Sequence, residues 1–128
     1  MSYSPKWDAA GSLRRFFLTG VNLNSAVTDV GSFTGLPAKY RVMRLTGYDA
    51  STSLTLATVD LRTATAGGGT AVVSAGVLSA LTGATKLVDA VLAVTTDYQT
   101  VATLTLRNVT AQGAAATASF CIEIMELT

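Results

Sequence analysis

The segment FCIEIM, residues 120–125, alternates between strongly apolar side chains and side chains that tolerate water. Successive side chains of a β-strand point to opposite faces of its sheet. The pattern therefore predicts a strand whose Phe120, Ile122 and Ile124 face the core. The segment ATLTLR, residues 102–107, repeats the alternation with its alanine and leucines facing inwards. The segment AQGA at residues 111–114 joins the two, and they are predicted to form a hairpin or an edge-crossing pair.

Segments of the same character recur towards the N-terminus, and turn-forming residues separate them. A single helical turn is predicted at residues 78–84, closed by Gly83. The short strands and the near absence of helix predict an all-β fold, a single-domain β-sandwich that is jelly-roll-like, over residues 12–128. The other predicted strands are residues 12–18, 26–33, 39–48, 55–63, 70–74 and 87–94.

Residues 87–94 differ from the other predicted strands because both of their faces are largely apolar. Leu87 and Val91 lie on one face, whereas Val88 and Leu92 lie on the other. A strand of this kind is buried on both sides. We therefore expect it to be central in the fold or covered by a partner.

Residues 1–11 are predicted to form an extended N-terminal arm that precedes the β-sandwich domain. The arm contains Pro5, yet it also carries Tyr3 and Trp7, which is the only tryptophan of the chain. Terminal segments are usually disordered unless something holds them. The two aromatic residues either cap the protein's own core or bind a neighbouring molecule, and the sequence leaves both interpretations open.

Charge is scarce, since only 13% of the 128 residues are Asp, Glu, Lys or Arg, against about 25% in an average soluble protein. The net charge of +1 predicts no binding to nucleic acid or to an anionic membrane. A surface rich in Thr, Ser and Ala suits packing against other molecules, so we expect an oligomer. We also expect no signal peptide, no membrane-spanning segment and assembly in a reducing cytoplasm.

The residues that support catalysis are missing or scattered. The chain has no histidine, which removes the usual general base and most zinc sites. Cys121 alternates with core residues and is interpreted as a packed or interface side chain. The segment GGGT at residues 67–70 lacks the lysine of a phosphate-binding loop and is interpreted as a flexible turn. We expect no enzyme, no catalytic residue, no cofactor and no metal.

Two basic clusters stand close to aromatic residues, and they are Arg14 with Arg15 and Arg41 with Arg44. Such a combination could stack on RNA. Because the net charge is close to zero, ion pairs between subunits or a solvated sheet face are the favoured interpretations. The candidate interaction residues are therefore Tyr3, Trp7, Arg14, Arg15, Arg41 and Arg44.

The stretch from Ser53 to Leu127 resembles a family of small bacteriophage head proteins. The resemblance is carried by LTLATV at 54–59, RTATAGGGTAVV at 62–73, LSALT at 78–82, KLVD at 86–89 and TLTLRNVTAQGAAATA at 103–118. It implies a capsid decoration, or cement, protein that binds the major capsid protein on the outside of the virion as a homotrimer. The alternatives are another virion component, such as a tail, baseplate or neck subunit, and a carbohydrate-binding β-module.

Overall fold

The computed structural model describes residues 12–25 and 27–128, and this part of the chain consists of β-strands joined by turns and loops. The prediction of an all-β fold is confirmed. The eight strands are β1 (Leu13–Asn22), β2 (Thr28–Phe33), β3 (Tyr40–Tyr48), β4 (Thr58–Arg62), β5 (Ala71–Val77), β6 (Leu87–Ala90), β7 (Leu104–Thr110) and β8 (Thr117–Glu126).

The strands form two four-stranded antiparallel sheets that pack face to face. Sheet A has the order β1-β8-β3-β6, and sheet B has the order β2-β7-β4-β5. The last two strands, β7 and β8, therefore lie in different sheets and do not form a hairpin. A single long antiparallel ribbon that is rolled into two layers pairs its first strand with its last and its middle strands with each other. The structure has this pairing, with β1 beside β8, β2 beside β7, β3 beside β6 and β4 beside β5. This is the jelly-roll form of the β-sandwich, so the predicted fold class is confirmed.

The core lies between the sheets, and the predicted alternation supplies much of it. Phe120, Ile122 and Ile124 are completely buried, as are Leu104 and Leu106 of the facing sheet. The alternation of residues 102–107 is wrong at Ala102, which is exposed and precedes β7. Thr105 points away from the core as predicted, but it is only 2% exposed.

Residues 78–84 form a tight turn instead of the predicted helical turn. The Leu81 N–H donates to the Leu78 carbonyl over 2.9 Å, and both leucines are buried in the core. The Thr82 hydroxyl then accepts hydrogen bonds from the N–H groups of Ala84 and Thr85. Side-chain bonds of this type compete with helix formation, so the chain turns instead of continuing a helix.

The strand predicted at residues 87–94 is shorter than expected and lies at the edge of sheet A. It ends at Ala90, and beyond it the Ala93 N–H donates to the Val72 carbonyl of sheet B over 2.7 Å. Leu87 is 63% exposed and Val91 is 84% exposed. A central position is therefore wrong for this segment. Leu87 and Val91 remain uncovered within the described chain, whereas Val88 and Leu92 pack against the core.

The glycine-rich turn after β4 folds over the outer face of sheet B. Gly69 has a φ of +66°, and a Cβ atom there would collide with the Thr63 hydroxyl. The Ala66 N–H donates to Asp29 over 2.9 Å, and Arg107 binds the same carboxylate over 2.8 Å. These two bonds, the backbone bond first, hold the pKa of Asp29 below its usual range. The turn is thus held in place by β2 and β7.

Tyr40 is packed in the core at the start of β3. Its side chain is fully buried, and its hydroxyl donates to the Val101 carbonyl over 2.8 Å. Burial disfavours the phenolate and raises the pKa of Tyr40 from 10.0 to about 12. The unfolded chain therefore loses this proton at lower pH than the folded chain does. The resulting stability is fully present below pH 10 and is lost as the pH rises to about 12.

We expect the free energy of unfolding to fall by about 2–3 kcal/mol between pH 10 and pH 12 because of this group. The variant Tyr40→Phe should lose about 1–2 kcal/mol at neutral pH, since the bond to Val101 is absent. It should also show a flatter decline above pH 10. Urea unfolding at pH 7, 10 and 11 measures both effects, and identical alkaline slopes in the two proteins would contradict the assignment.

Candidate functional site

The outer face of sheet A is the surface on which exposed apolar and charged side chains come together. The inward residues of β8 alternate with outward ones, and the antiparallel register brings the outward residues of neighbouring strands alongside them. The residues of this face are Leu13, Arg15 and Phe17 of β1, Cys121, Glu123 and Met125 of β8, Arg41, Arg44, Thr46 and Tyr48 of β3, and Leu87 and Asp89 of β6.

A shallow groove of about 270 Å³ crosses this face from β1 to β6. Phe17 lies at one side of the groove and Leu87 at the other, and they are 58% and 63% exposed. Tyr48 contributes an aromatic ring between them. Large apolar side chains are therefore presented on both sides of a polar centre.

The polar centre is an ion-pair cluster around Glu123. This carboxylate lies 2.9 Å from the Arg15 guanidinium and 3.8 Å from that of Arg44. Arg44 also lies 3.9 Å from Asp89, which accepts a 2.6 Å hydrogen bond from the Thr46 hydroxyl. Two cations and two anions balance one another, so the cluster has no net charge. A partner could cover it without leaving an unpaired charge.

Cys121 lines the same groove, but its environment does not activate it. Burial raises the pKa of the Cys121 thiol, and the nearby Glu123 raises it further, against the opposing effects of Arg15 and Arg44. The thiol group lies 3.6 Å from the Ile122 carbonyl. A protonated thiol is a poor nucleophile, so the surroundings of Cys121 do not activate it.

The structure brings two of the candidate interaction residues together, because Arg15 and Arg44 share Glu123. Arg14 lies apart from them, pairs with Glu126 over 3.3 Å and stands 5.3 Å from the centre of the Phe16 ring. Arg41 is exposed beside Met125 and makes no ion pair with a described residue. Three of the four arginines thus form ion pairs within one chain. Tyr3 and Trp7 lie outside the described residues.

Sequence reasoning missed the apolar part of this face. Phe16 and Phe17 are adjacent on a predicted strand, and consecutive side chains must point to opposite faces. One of the two side chains therefore had to point away from the core. Leu87 gave a similar signal, since its segment is apolar on both sides. What the sequence did not show is that these two positions share one face.

Two of the large exposed apolar residues, Phe17 and Leu87, line this groove, and Leu13 lies on the same sheet face. The others do not line the groove, and they are Val27, Leu56, Val77, Val91 and Tyr98. Single exposed apolar residues are ordinary, but a cluster marks an interaction surface. The outer face of sheet A is therefore the candidate functional site.

The described residues offer no other recognised site. They contain no group of three His, Cys, Asp or Glu residues placed to hold a metal ion. Within the same ranges, no helix is long and apolar enough to cross a membrane. No protein-family model, curated protein or solved structure matches this chain. Function is therefore inferred from the outer face of sheet A and from the fold.

Proposed function

We propose that this protein is a non-enzymatic capsid decoration protein that binds the outside of a bacteriophage head and stabilises contacts between capsomers. Its partner is the major capsid protein, and the outer face of sheet A is the contact surface. The observation that supports this proposal is the exposure of Phe17 and Leu87 on either side of a neutral ion-pair cluster. The jelly roll recurs among capsid and lectin domains, although a fold alone does not establish a function.

The energetics of the face suit docking onto a protein. Burying a large apolar side chain contributes roughly 1.5–3 kcal/mol, and Phe17 and Leu87 are both more than half exposed. The ion pairs of Glu123 are already formed, so a partner need not supply a countercharge. The sheet holds these groups on rigid strands, which limits the entropy lost on binding.

The proposal includes a homotrimer on the capsid. A single face of this size binds weakly, but three linked copies engage three sites at once. Linkage raises the total avidity by about 10²–10⁴. The low charge of the chain, 13% of residues, is in keeping with surfaces that are covered in an assembly. Light scattering of the purified protein should give three times the chain mass.

The variants Phe17→Ser and Leu87→Ser should each weaken binding to undecorated phage heads by 10-fold or more, because each removes apolar area from the contact. A 10-fold loss corresponds to about 1.4 kcal/mol. Co-sedimentation of the protein with purified heads over a concentration series measures the affinity. The matched control is Val77→Ser, since Val77 is 61% exposed but lies on sheet B. Equal affinity of all four proteins, or equal loss in the control, would contradict the proposed surface.

A carbohydrate-binding module is the second candidate, because Phe17 and Tyr48 place two aromatic rings beside polar side chains in one groove. Specific binding on a glycan array that is lost in Phe17→Ser would favour this function over capsid binding. Electron microscopy of labelled protein on the particle distinguishes a decoration protein from a tail, baseplate or neck subunit.

A further inference from the structure

An irregularity in β3 places two arginines on the outer face of sheet A. Side chains three positions apart on a regular strand point to opposite faces, so a regular β3 would separate Arg41 from Arg44. The register against β8 shifts between Val42 and Arg44, which inserts one extra residue as a β-bulge. Arg41 therefore lies beside Met125 and Arg44 lies beside Glu123, both on the outer face. Bulges re-aim side chains in this way next to functional sites.

The burial of the β3 side chains agrees with this geometry. Val42 and Leu45 are buried in the core, and two residues separate them where a regular strand would have one. Arg41 and Arg44, which lie on either side of this irregularity, are both exposed. The bulge thus keeps the apolar residues of β3 in the core and brings the second arginine to the same face as the first.

The two guanidinium groups are incompletely used by the described residues. Arg41 makes no ion pair with any of them. Arg44 lies 3.8 Å from Glu123 and 3.9 Å from Asp89, distances that are too long for hydrogen bonds. In contrast, Arg15 approaches Glu123 to 2.9 Å. A guanidinium presents a planar fork of N–H donors that matches the two oxygens of a carboxylate, so Arg41 and Arg44 can still bind one.

The charge of this face requires one acidic group from a partner that covers all of it. The charged residues of the face are three arginines and two carboxylates, which leaves a net charge of +1, and they are Arg15, Arg41, Arg44, Asp89 and Glu123. The cluster around Glu123 is neutral, so the remaining charge is that of Arg41. A partner that extends over Arg41 must supply a carboxylate, because a covered charge without a counterion is costly.

The two carboxylates of the face disfavour a polyanion as the partner. Nucleic acid and phosphate groups bring several negative charges, which Asp89 and Glu123 would repel at short distance. A single carboxylate at Arg41 makes the covered face neutral. Beside it, Phe17 and Leu87 present apolar surface in the groove and are more than half exposed. The complementary ligand is therefore an acidic side chain close to an apolar one, which a segment of protein supplies.

We propose that Arg41 and Arg44 together bind one acidic side chain of the major capsid protein. An apolar side chain of the same capsid segment occupies the groove between Phe17 and Leu87. Residues two positions apart in an extended segment lie on one side of it, so one residue separates the acidic side chain from the apolar one. This inference rests on the proposed function and adds the chemistry of the partner's contact. The carboxylate fixes the orientation in which the apolar groups meet.

Substitution of Arg41 tests the carboxylate contact on phage heads. Arg41→Gln should leave the urea unfolding midpoint unchanged, because Arg41 makes no ion pair with a described residue. It should weaken co-sedimentation with undecorated heads at low ionic strength by about 10-fold, and Arg41→Glu should weaken it by about 100-fold. The matched control is Arg14→Gln, since Arg14 is an exposed arginine of sheet A that pairs with Glu126 outside this face. The control should change the affinity by less than about two-fold.

The dependence on salt distinguishes a charge contact from a packing contact. Raising sodium chloride from about 0.05 M to about 0.5 M screens exposed charges, so it should weaken the binding of the unmodified protein more than that of Arg41→Gln. Phe17→Ser should keep the salt dependence of the unmodified protein. If Phe17→Ser weakens binding to heads while Arg41→Gln changes neither the affinity nor its salt dependence, the acidic contact is overturned and the proposed function stands.

Titration with short peptides tests the surface without phage heads. The probes are the acetylated and amidated tripeptide of leucine, glycine and glutamate, and the same tripeptide with glutamine in place of glutamate. In the nuclear magnetic resonance spectrum, the Nε–H signals of Arg41 and Arg44 should shift at least about three-fold more with the glutamate peptide, whereas that of Arg14 should shift with neither. Equal shifts with the two peptides overturn the proposal. A preference for the glutamate peptide in a protein that does not bind heads overturns the proposed function alone.

Glucuronic acid is the third titrant, because an acidic sugar also carries a carboxylate. It has no aliphatic side chain to place between Phe17 and Leu87, so its dissociation constant should be at least about three-fold higher than that of the glutamate peptide. Binding of glucuronic acid as tight as that of the peptide, or tighter, would overturn a protein partner and favour an acidic saccharide.

Discussion

The variant Asp60→Ala is expected to lower the free energy of unfolding by about 3–5 kcal/mol, because removal of one partner of a buried ion pair leaves the other uncompensated. Asp60 is only 6% exposed and lies 2.7 Å from the Arg62 guanidinium. Its second carboxylate oxygen accepts a 2.6 Å hydrogen bond from the Ala75 N–H. Ala75 has a positive φ of 47°, so the same carboxylate also stabilises an unfavourable backbone conformation in β5.

Urea unfolding followed by circular dichroism measures this loss. The matched control is Asp97→Ala, since Asp97 is exposed in a loop and its removal should change the stability by less than about 1 kcal/mol. The variants Arg62→Ala and Asp60→Ala/Arg62→Ala complete a double-mutant cycle, which isolates the energy of the pair. If Asp60→Ala proves no more destabilising than the Asp97 control, the ion pair does not contribute to the fold.

The variant Phe120→Ala should also lower the free energy of unfolding by about 3–5 kcal/mol, because it opens a cavity in the centre of sheet A. Phe120 is completely buried. Its ring lies so close to the neighbouring strand that a Cβ atom on Gly47 would be 3.3 Å from it. The side chains around the ring belong to regular strands and a tight turn, which restricts their collapse into the space.

Phe17→Ala provides the matched control for this substitution. It makes the same chemical change on the adjacent strand, but Phe17 is 58% exposed, so we expect a loss of less than about 1 kcal/mol. Thermal and urea unfolding of the two variants give the comparison directly. Similar losses in the two proteins would show that Phe120 is not a determinant of core packing, or that Phe17 is covered in solution.

Much of the fold could be predicted because strands carry their own signal. The alternation of residues 120–125 assigns each side chain to one face, and Phe120, Ile122 and Ile124 are buried as predicted. The same argument predicted the wrong exposure for the side chain of Thr105. Its side chain does point outwards, yet it is buried on a sheet face over which Arg62, Arg107 and the glycine-rich turn are folded. Alternation predicts the direction of a side chain but not what lies beyond the sheet.

The candidate site could be predicted only in part. Arg15 and Arg44 were identified from the sequence, and both lie on the outer face of sheet A. Their shared partner Glu123, and the apolar residues Phe17 and Leu87, could not be grouped with them. These residues meet because β1, β8, β3 and β6 are neighbours, an order that depends on pairings between distant parts of the chain.

The sequence by itself determined that this protein is built of β-strands, which residues of most strands face the core, and that its surface carries little charge. Tertiary structure decided which strands are neighbours, which faces remain uncovered and which charges meet. The physical reason is the range of the interactions. Strand alternation depends on residues two positions apart, whereas the groove of sheet A and the ion pair of Asp60 exist only after non-local strand pairing has brought their residues together.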